Sequence, residues 1–301
     1  MRPNLDTLAA RLPPRPLTRF APSPTGYLHL GHIVNAIYVW GLARALGGRV
    51  LLRIEDHDRM RSRAEYEAAL LEDLEWLGFR ADAGPVRQSD EPAAYHEALA
   101  RLARSHHVYA CNCSRKEIVA GLQTGAYESG IEVPYSGRCR ARGLPIDAAC
   151  GVRVEIAPGT EPFDDGLLGE QAQDPASQCG DLLLRDRDGH WTYQFAVTVD
   201  DVRQCVDFVV RGEDLLPSTG RQVRLARMLG RQVPPVFVHH PLLRKPTGDK
   251  LSKSSGDTGI RELRAAGVRA EDVIGRAAVA CGLIHHTCDI EAKEVGRLFG
   301  G

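Results

Sequence analysis

No run of apolar residues in this 301-residue chain approaches the roughly 18 needed to cross a bilayer. The opening stretch (Arg2, Pro3, Asn4, Asp6, Arg11, Pro13, Pro14) lacks the apolar centre of an export signal. No membrane role is therefore expected, and the expected location is cytoplasmic. Net charge is nearly absent too: the formal value is −1, so no global field draws in a polyanion, and any nucleic-acid contact has to come from local basic clusters. Internal repeats and low-complexity tracts are missing. The eight cysteines include no Cys-x-x-Cys pair, and without an export signal they read as thiols or metal ligands rather than disulfides.

What is present points to a globular α/β chain. With 43% hydrophobic residues it can bury a substantial core, and its length suggests about two domains. The first sixteen residues read as a loosely docked extension, with structure starting near Leu17. Leu17–Ala21 reads as a strand, turned by Pro22-Ser23-Pro24-Thr25-Gly26 into a helix whose apolar residues Ile33, Ile37, Trp40 and Leu46 recur at helical spacing until Gly47-Gly48. Arg49–Ile54 reads as a buried strand, and Ser62 with Glu65 as a capping box for a helix running to Gly78. Strand, helix, strand, helix in this order argues for a parallel sheet. From Val108 to about Gly180 the chain turns irregular and reads as an insertion. The segments Leu182–Arg185, Val206–Arg211 and Val236–His239 are then expected to complete the sheet. The expected division is 17–107 and 182–250 for two halves of a nucleotide-binding domain, 108–181 for the insertion, and 251–301 for a lysine-bearing loop with a short helical subdomain.

Two motifs carry chemistry. In Arg19-Phe20-Ala21-Pro22-Ser23-Pro24-Thr25-Gly26-Tyr27-Leu28-His29-Leu30-Gly31-His32, two imidazoles and two glycines sit where a strand hands over to a helix. A helix N-terminus attracts phosphate, Gly26 and Gly31 admit close approach of a nucleotide, and His29 and His32 are placed to donate to phosphate oxygens. In Asp249-Lys250-Leu251-Ser252-Lys253-Ser254, a loop presents two ammonium groups flanked by hydroxyls, suited to clamp pyrophosphate. Alone, such a loop is an ordinary solvated turn.

Taken together, the motifs resemble the HIGH and KMSKS signatures of class I aminoacyl-tRNA synthetases, and Arg19 to Ser254 looks like the catalytic portion of glutamyl-tRNA synthetase. The implied fold is a Rossmann-like α/β catalytic domain with an inserted zinc-binding, acceptor-stem-like domain and a short helical C-terminal segment. The resemblance implies His29, His32 and Lys253 as catalytic groups, and Gly31, His29, His32, Lys250 and Lys253 as the ATP site, with Mg²⁺. Arg19, Ala21, Ser23, Glu55, Tyr193 and Arg211 are implied as the glutamate site. That assignment fits the need of a glutamate pocket for guanidinium forks and at least one acid. His57 departs from the hydroxyl residue the family pattern leads one to expect.

Cys111-Asn112-Cys113, Tyr135 and Cys139 resemble the zinc site of the short paralogue of glutamyl-tRNA synthetase, with Cys150, His106 or His107 as substitutes for Tyr135. Cys179, Cys205, Cys281 and Cys288 read as core or surface thiols. Arg221, Arg224, Arg227 and Arg231 fall roughly on one helical face, as a solvated face or an RNA contact. Only 47 residues follow Ser254, too few for a helical anticodon-binding region. In its motifs, its insertion and this shortness the chain resembles the glutamyl-queuosine tRNA(Asp) synthetase family. That resemblance implies activation of L-glutamate by ATP and transfer to queuosine in tRNA(Asp), by a monomer working away from membranes. A truncated glutamyl-tRNA synthetase charging tRNA(Glu), a non-catalytic glutamate- or ATP-binding regulator, and a zinc-containing RNA-binding module are the other readings.

Overall fold

The computed structural model describes residues 2–58, 60–120, 133–146, 149–243 and 259–300; Lys250 and Lys253 lie outside the described residues. The described chain runs α1 (Leu5–Ala9), β1 (Leu17–Phe20), α2 (Leu30–Ala45), β2 (Arg49–Ile54), α3 (Ala64–Leu77), β3 (Ala83–Arg87), α4 (Pro92–Ser105), β4 (Val108–Cys111) and α5 (Arg115–Ala120). It continues with β5 (Gly151–Val154), β6 (Glu161–Asp165), β7 (Gly169–Gln173), α6 (Pro175–Cys179), β8 (Leu182–Arg185), α7 (Tyr193–Arg203), β9 (Phe208–Gly212), α8 (Thr219–Met228), β10 (Val236–His240), α9 (Ile260–Ala265) and α10 (Ala270–Ala280).

The strands β1-β2-β3 pair in parallel, and β9-β10-β6 form a second parallel run with β7 antiparallel at its edge. The two runs meet at β1 and β9. The Asp207 amide donates to the Leu17 carbonyl and the Leu17 amide to the Asp207 carboxylate, both at 2.8 Å. From β1 the chain proceeds outward to β2 and β3, then returns to the other side of β1 as β9 and β10. This reversal is the topological switch point of an open α/β sheet, and the crevice beyond its strand ends is where such sheets bind ligands. A separate antiparallel sheet, β4-β5-β8, lies outside this array.

The core explains why α2 is helical without being amphipathic. Ten of its residues, from Ile33 to Ala43, are buried, because it is covered by the sheet, α10 and the C-terminal 3-10 segment Ala292–Leu298. Gly47 (φ 64°) and Gly78 (φ 82°) take left-handed backbone just past the ends of α2 and α3. A second core, with Tyr95, Leu102, Ile156, Leu184, Phe195 and Leu225, anchors α7 between α4, α8 and the antiparallel sheet.

Four sequence expectations are corrected here. The first sixteen residues are docked: Leu8 is buried in the main core and the Pro16 carbonyl accepts from the Arg49 amide. Ser62 and Glu65 form no capping box. The N-cap of α3 is Arg63, and the Ser62 hydroxyl is buried with no hydrogen-bond partner among the described residues. Leu182–Arg185 does not complete the parallel sheet but pairs with β5, because its inward Leu182 and Leu184 belong to the second core. Conversely, the β6-β7 hairpin, read as irregular, joins the parallel array beside β10.

Candidate active site

The loop between β1 and α2 is stapled to its neighbours. The Pro22 carbonyl accepts from the Glu55 amide and the Pro24 carbonyl from the Arg63 amide, both at 3.0 Å. His29 is the N-cap of α2: its Nδ1 accepts from the Gly31 amide, while the Nδ1 of His32 accepts from the His29 amide, each at 3.1 Å. This reciprocal cap decides the tautomers. A ring nitrogen that accepts from an N–H carries no proton, so each neutral imidazole holds its proton on Nε2 and presents it as a donor. The rings lie 4.0 Å apart at the positive end of α2. Gly31 is glycine for a steric reason, since a Cβ there would lie 2.9 Å from Cε1 of His29.

The chain re-enters this corner after the lysine motif. The Ile260 amide donates to the Leu28 carbonyl at 3.0 Å, and Gly259 bridges to His29. On the other side of that motif, His240 stacks on Tyr38 of α2 and approaches Asn35. Both flanks of the lysine motif therefore border α2, although Lys250 and Lys253 are themselves outside the described residues.

A buried ionic network lies at the ends of β1 and β2. Arg19 Nε donates to Asp201 Oδ1 at 3.1 Å, and Arg53 donates to the same oxygen at 2.8 Å and to Glu55 Oε1 at 3.0 Å. Burial alone would discharge Arg53, but Asp201, Glu55 and Asp200 surround it and raise its pKa above the ordinary value. Burial likewise works against ionised Asp201, and the Arg19 and Arg53 cations outweigh it, holding the carboxyl below the usual range. Glu55 is 4% exposed, with one oxygen on Arg53. Ala21 is half-buried and Ser23 exposed on the loop just beyond Arg19.

Arg211, at the end of β9, is built differently. Its guanidinium, 4% exposed, donates to His239 Nε2 (3.0 Å), Gln222 Oε1 (2.7 Å), Thr219 Oγ1 (2.9 Å) and the Leu215 carbonyl (3.4 Å). No carboxylate pairs with it among the described residues. Burial, aided by the Arg19 cation, pulls its pKa down. Tyr193, the first residue of α7, lies in the field of Arg211, and burial beside Glu55 pushes its phenol up, so it stays protonated.

Cys111, Cys113 and Cys139 bring their sulfur atoms within 4.8 Å of one another. The Tyr135 hydroxyl lies 3.3 Å from Cys111 Sγ and 3.7 Å from Cys113 Sγ, and Cys113 and Cys139 are 3.5 Å apart. The alternatives point elsewhere: His106 meets Ser105, His107 pairs with Glu155, and Cys150 is not in the cluster.

Residues 17–280 match the family described as tRNA synthetases class I (E and Q), catalytic domain. The glutamyl-Q tRNA(Asp) synthetase of Nitratidesulfovibrio vulgaris is 41% identical over 283 residues, covering 88% of this chain and 86% of its own. That of Rhodobacter capsulatus is 39% identical over 272 residues, covering 85% and 98%. The chain belongs to the glutamyl-Q tRNA(Asp) synthetase family. The solved glutamate-tRNA synthetase of Elizabethkingia anophelis superposes with a TM-score of 0.77 at 26% identity, covering 94% of this chain and 65% of that one. This chain thus spans just under two thirds of that synthetase's length.

With the family shown, what sequence reading missed is the support beneath the pocket. Arg53, Asp201, Gln222 and His239 hold the implied ligands from behind, and Asp200 lies behind Arg53 in turn. One signal was available: Arg53 sits inside an apolar strand two residues before Glu55, so the pleat puts both on one face. Asp201 and His239 carried no comparable mark. The arginine face of α8 is corrected as well. Arg221 is buried, Arg224 and Arg227 grip Glu161, and Arg231 donates to the Val206, Asp201 and Val233 carbonyls. Arg221 is thus turned into the fold, while Arg224, Arg227 and Arg231 combine bracing contacts with partial exposure, Arg227 the most.

Proposed function

We propose that this chain activates L-glutamate with ATP, forming glutamyl-adenylate and pyrophosphate, and transfers the glutamyl group to queuosine in tRNA(Asp). Arg211 carries the reading. A buried cation whose described partners are all neutral is costly to maintain, so its place in the crevice favours a ligand that brings an anion. Arg19 lies on the adjacent strand, tied to the Val210 carbonyl, so the two guanidiniums offer a double fork for carboxylates, with Glu55 for the substrate ammonium. Ala21, Ser23 and Tyr193 complete that subsite.

A glutamate carboxylate oxygen attacks the α-phosphorus, and the bond to pyrophosphate breaks. His29 and His32 donate from Nε2 to phosphate oxygens as charge builds, at the helix N-terminus where Gly31 makes room for the His29 ring. Lys250 and Lys253 are proposed to neutralise the leaving pyrophosphate, with Mg²⁺ accompanying ATP. Transfer to the acceptor then releases AMP. The acceptor assignment rests on relatives 39–44% identical that bear the name glutamyl-Q tRNA(Asp) synthetase.

Zinc is proposed at Cys111, Cys113, Cys139 and Tyr135. A tetrahedron with arms of about 2.3 Å has edges of about 3.8 Å; three donor pairs at 3.3–3.7 Å, with all three sulfur atoms within 4.8 Å of one another, are compatible with it. The metal would tie β4 to the chain around Tyr135 and Cys139 within the proposed insertion 108–181. No described helix is long and apolar enough to cross a membrane. Among the described residues, the exposed large apolar side chains Met60, Ile146, Leu168 and Val233 lie on four different segments. The scatter of these apolar side chains favours the reading of a monomer, and a cytoplasmic location is proposed with it.

The test is glutamate-dependent ATP–pyrophosphate exchange without tRNA, followed by labelled glutamate offered with queuosine-containing tRNA(Asp), unmodified tRNA(Asp) and tRNA(Glu). Exchange, with label on the first tRNA alone, is the expected result. Label at the terminal adenosine of tRNA(Glu) would overturn the acceptor, and no exchange under any condition would overturn activation.

A further inference from the structure

Behind Arg211 stands a chain of buried groups. Asp165 ends β6, His239 lies in β10 two residues beyond the Phe237–Asp165 pair, and both side chains are fully buried. One Asp165 oxygen accepts from the Leu167 and Leu168 amides at 2.9 Å each. The other accepts from the His239 amide at 3.1 Å and meets His239 Nδ1 at 2.5 Å. The carboxylate is thus immobilised and ionised: burial opposes its charge, while His239 and the loop amides hold its pKa below the usual range.

A contact of that length with a carboxylate requires the His239 proton on Nδ1. Nε2 is then bare, and it accepts from Arg211 Nε. Only the neutral ring, in this one tautomer, links an anion on one side to a guanidinium on the other.

We propose that His239, oriented by Asp165, is the positioning residue that aims the Arg211 fork at the substrate carboxylate, and that protonation of His239 releases Arg211. The inference rests on the reading of Arg211 as a glutamate ligand.

The charged and titratable groups facing His239 are Asp165 from β6, Arg211 from β9 and Arg19 from β1. Thr219 of α8 adds a hydroxyl at 3.2 Å, and Phe237 stacks on the ring at 5.8 Å. Burial is the largest effect and disfavours a second proton. Asp165 favours it and the two arginines oppose it, so the pKa lies below its ordinary value. The linkage has one sign. The aligned fork is present above the His239 pKa and lost as pH falls through it, where Nε2–H would confront Arg211 Nε–H.

The test is the glutamate KM in ATP–pyrophosphate exchange at saturating ATP, from pH 5.5 to 8, for the wild type, His239→Leu, His239→Gln and Arg211→Gln. His239→Leu should raise the glutamate KM on the order of tenfold at every pH, with kcat and the ATP KM within about twofold, as for loss of one hydrogen bond to a charged group. Glutamine keeps an acceptor but does not titrate, so His239→Gln should stay near the wild-type KM at pH 8 and lose the rise in acid. If Arg211→Gln raises the glutamate KM and His239→Leu does not, or if His239→Gln keeps the acid rise, the positioning role is overturned. If Arg211→Gln leaves the glutamate KM unchanged, the substrate reading beneath it fails instead.

Discussion

Two histidines and a glycine at the head of α2 show how much a single atom decides. His29 can cap the helix only because residue 31 has no Cβ, so Gly31→Ala should swing the ring off the Gly31 amide and misplace its Nε2 donor. Exchange kcat should fall on the order of 100-fold, the lower end of the roughly 10²- to 10³-fold cost of losing one transition-state donor, while the melting temperature moves by only a few degrees; steady-state kinetics beside calorimetry checks both. His240 sets a different limit. Burial holds its pKa down at about 4, against 6.5 for the free side chain. Between those values the unfolded chain binds more protons, so stability is full above pH 6.5 and falls as pH drops toward 4, by about 3 kcal/mol in all. Thermal unfolding at pH 7.5 and 5 should show that loss in the wild type and much less of it in His240→Leu.

Elements are joined here by charge as much as by apolar packing, and not always favourably. Asp73, on the buried side of α3, is 1% exposed and leaves one carboxylate oxygen without a described hydrogen-bond partner. Burial raises its pKa to about 6, which the Arg261 and Arg264 cations of α9 only partly offset. A group so raised favours the fold when protonated, and that contribution is lost as pH rises from about 4 through about 6. Asp73→Asn should therefore stabilise the protein by about 1–3 kcal/mol at pH 7 and by much less near pH 4.5, read as a shift in urea midpoint at the two pH values. The antiparallel pair β4–β5 makes the complementary case. If zinc joins Cys111, Cys113, Cys139 and Tyr135, a chelator should lower the melting temperature of the wild type and leave Cys139→Ser unaffected, with about one zinc per chain lost by elemental analysis.

At the scale of the whole molecule the crevice exists because distant segments converge. Arg19 comes from β1, Glu55 follows β2, Asp201 lies on α7 and Arg211 on β9, and all meet where the sheet reverses direction. Their common backing is α2, and α2 depends on the end of the chain. Ala292, Val295, Leu298 and Phe299 are buried in the main core, and Phe299 packs where Gly41 leaves room for it. Burying such side chains contributes about 1.5–3 kcal/mol for each large one, a sum comparable to the 5–15 kcal/mol by which a domain of this kind is stable. A chain ending at residue 290 should therefore lose cooperative unfolding and near-ultraviolet dichroism, although every residue proposed to touch substrate is still present.

Several features were legible along the chain because they are local. The strand Arg49–Ile54, the glycine stop after α2, and the histidine pair at a strand-to-helix junction depend on side-chain period, backbone freedom and helix ends, all written in neighbouring residues. The lysine motif Asp249–Ser254 lies outside the described residues, and its role stays a proposal. Only the tertiary structure decided which strands share a sheet. Leu182–Arg185 is apolar enough to read as a sheet strand yet pairs with β5, while Glu161–Asp165 joins the parallel array although two of its three buried side chains are the acids Glu161 and Asp165. It also decided which charges are paired. That Arg19 and Arg53 share Asp201 while Arg211 is left with neutral partners is a fact about residues up to 182 positions apart, and no local pattern encodes a contact made across the fold.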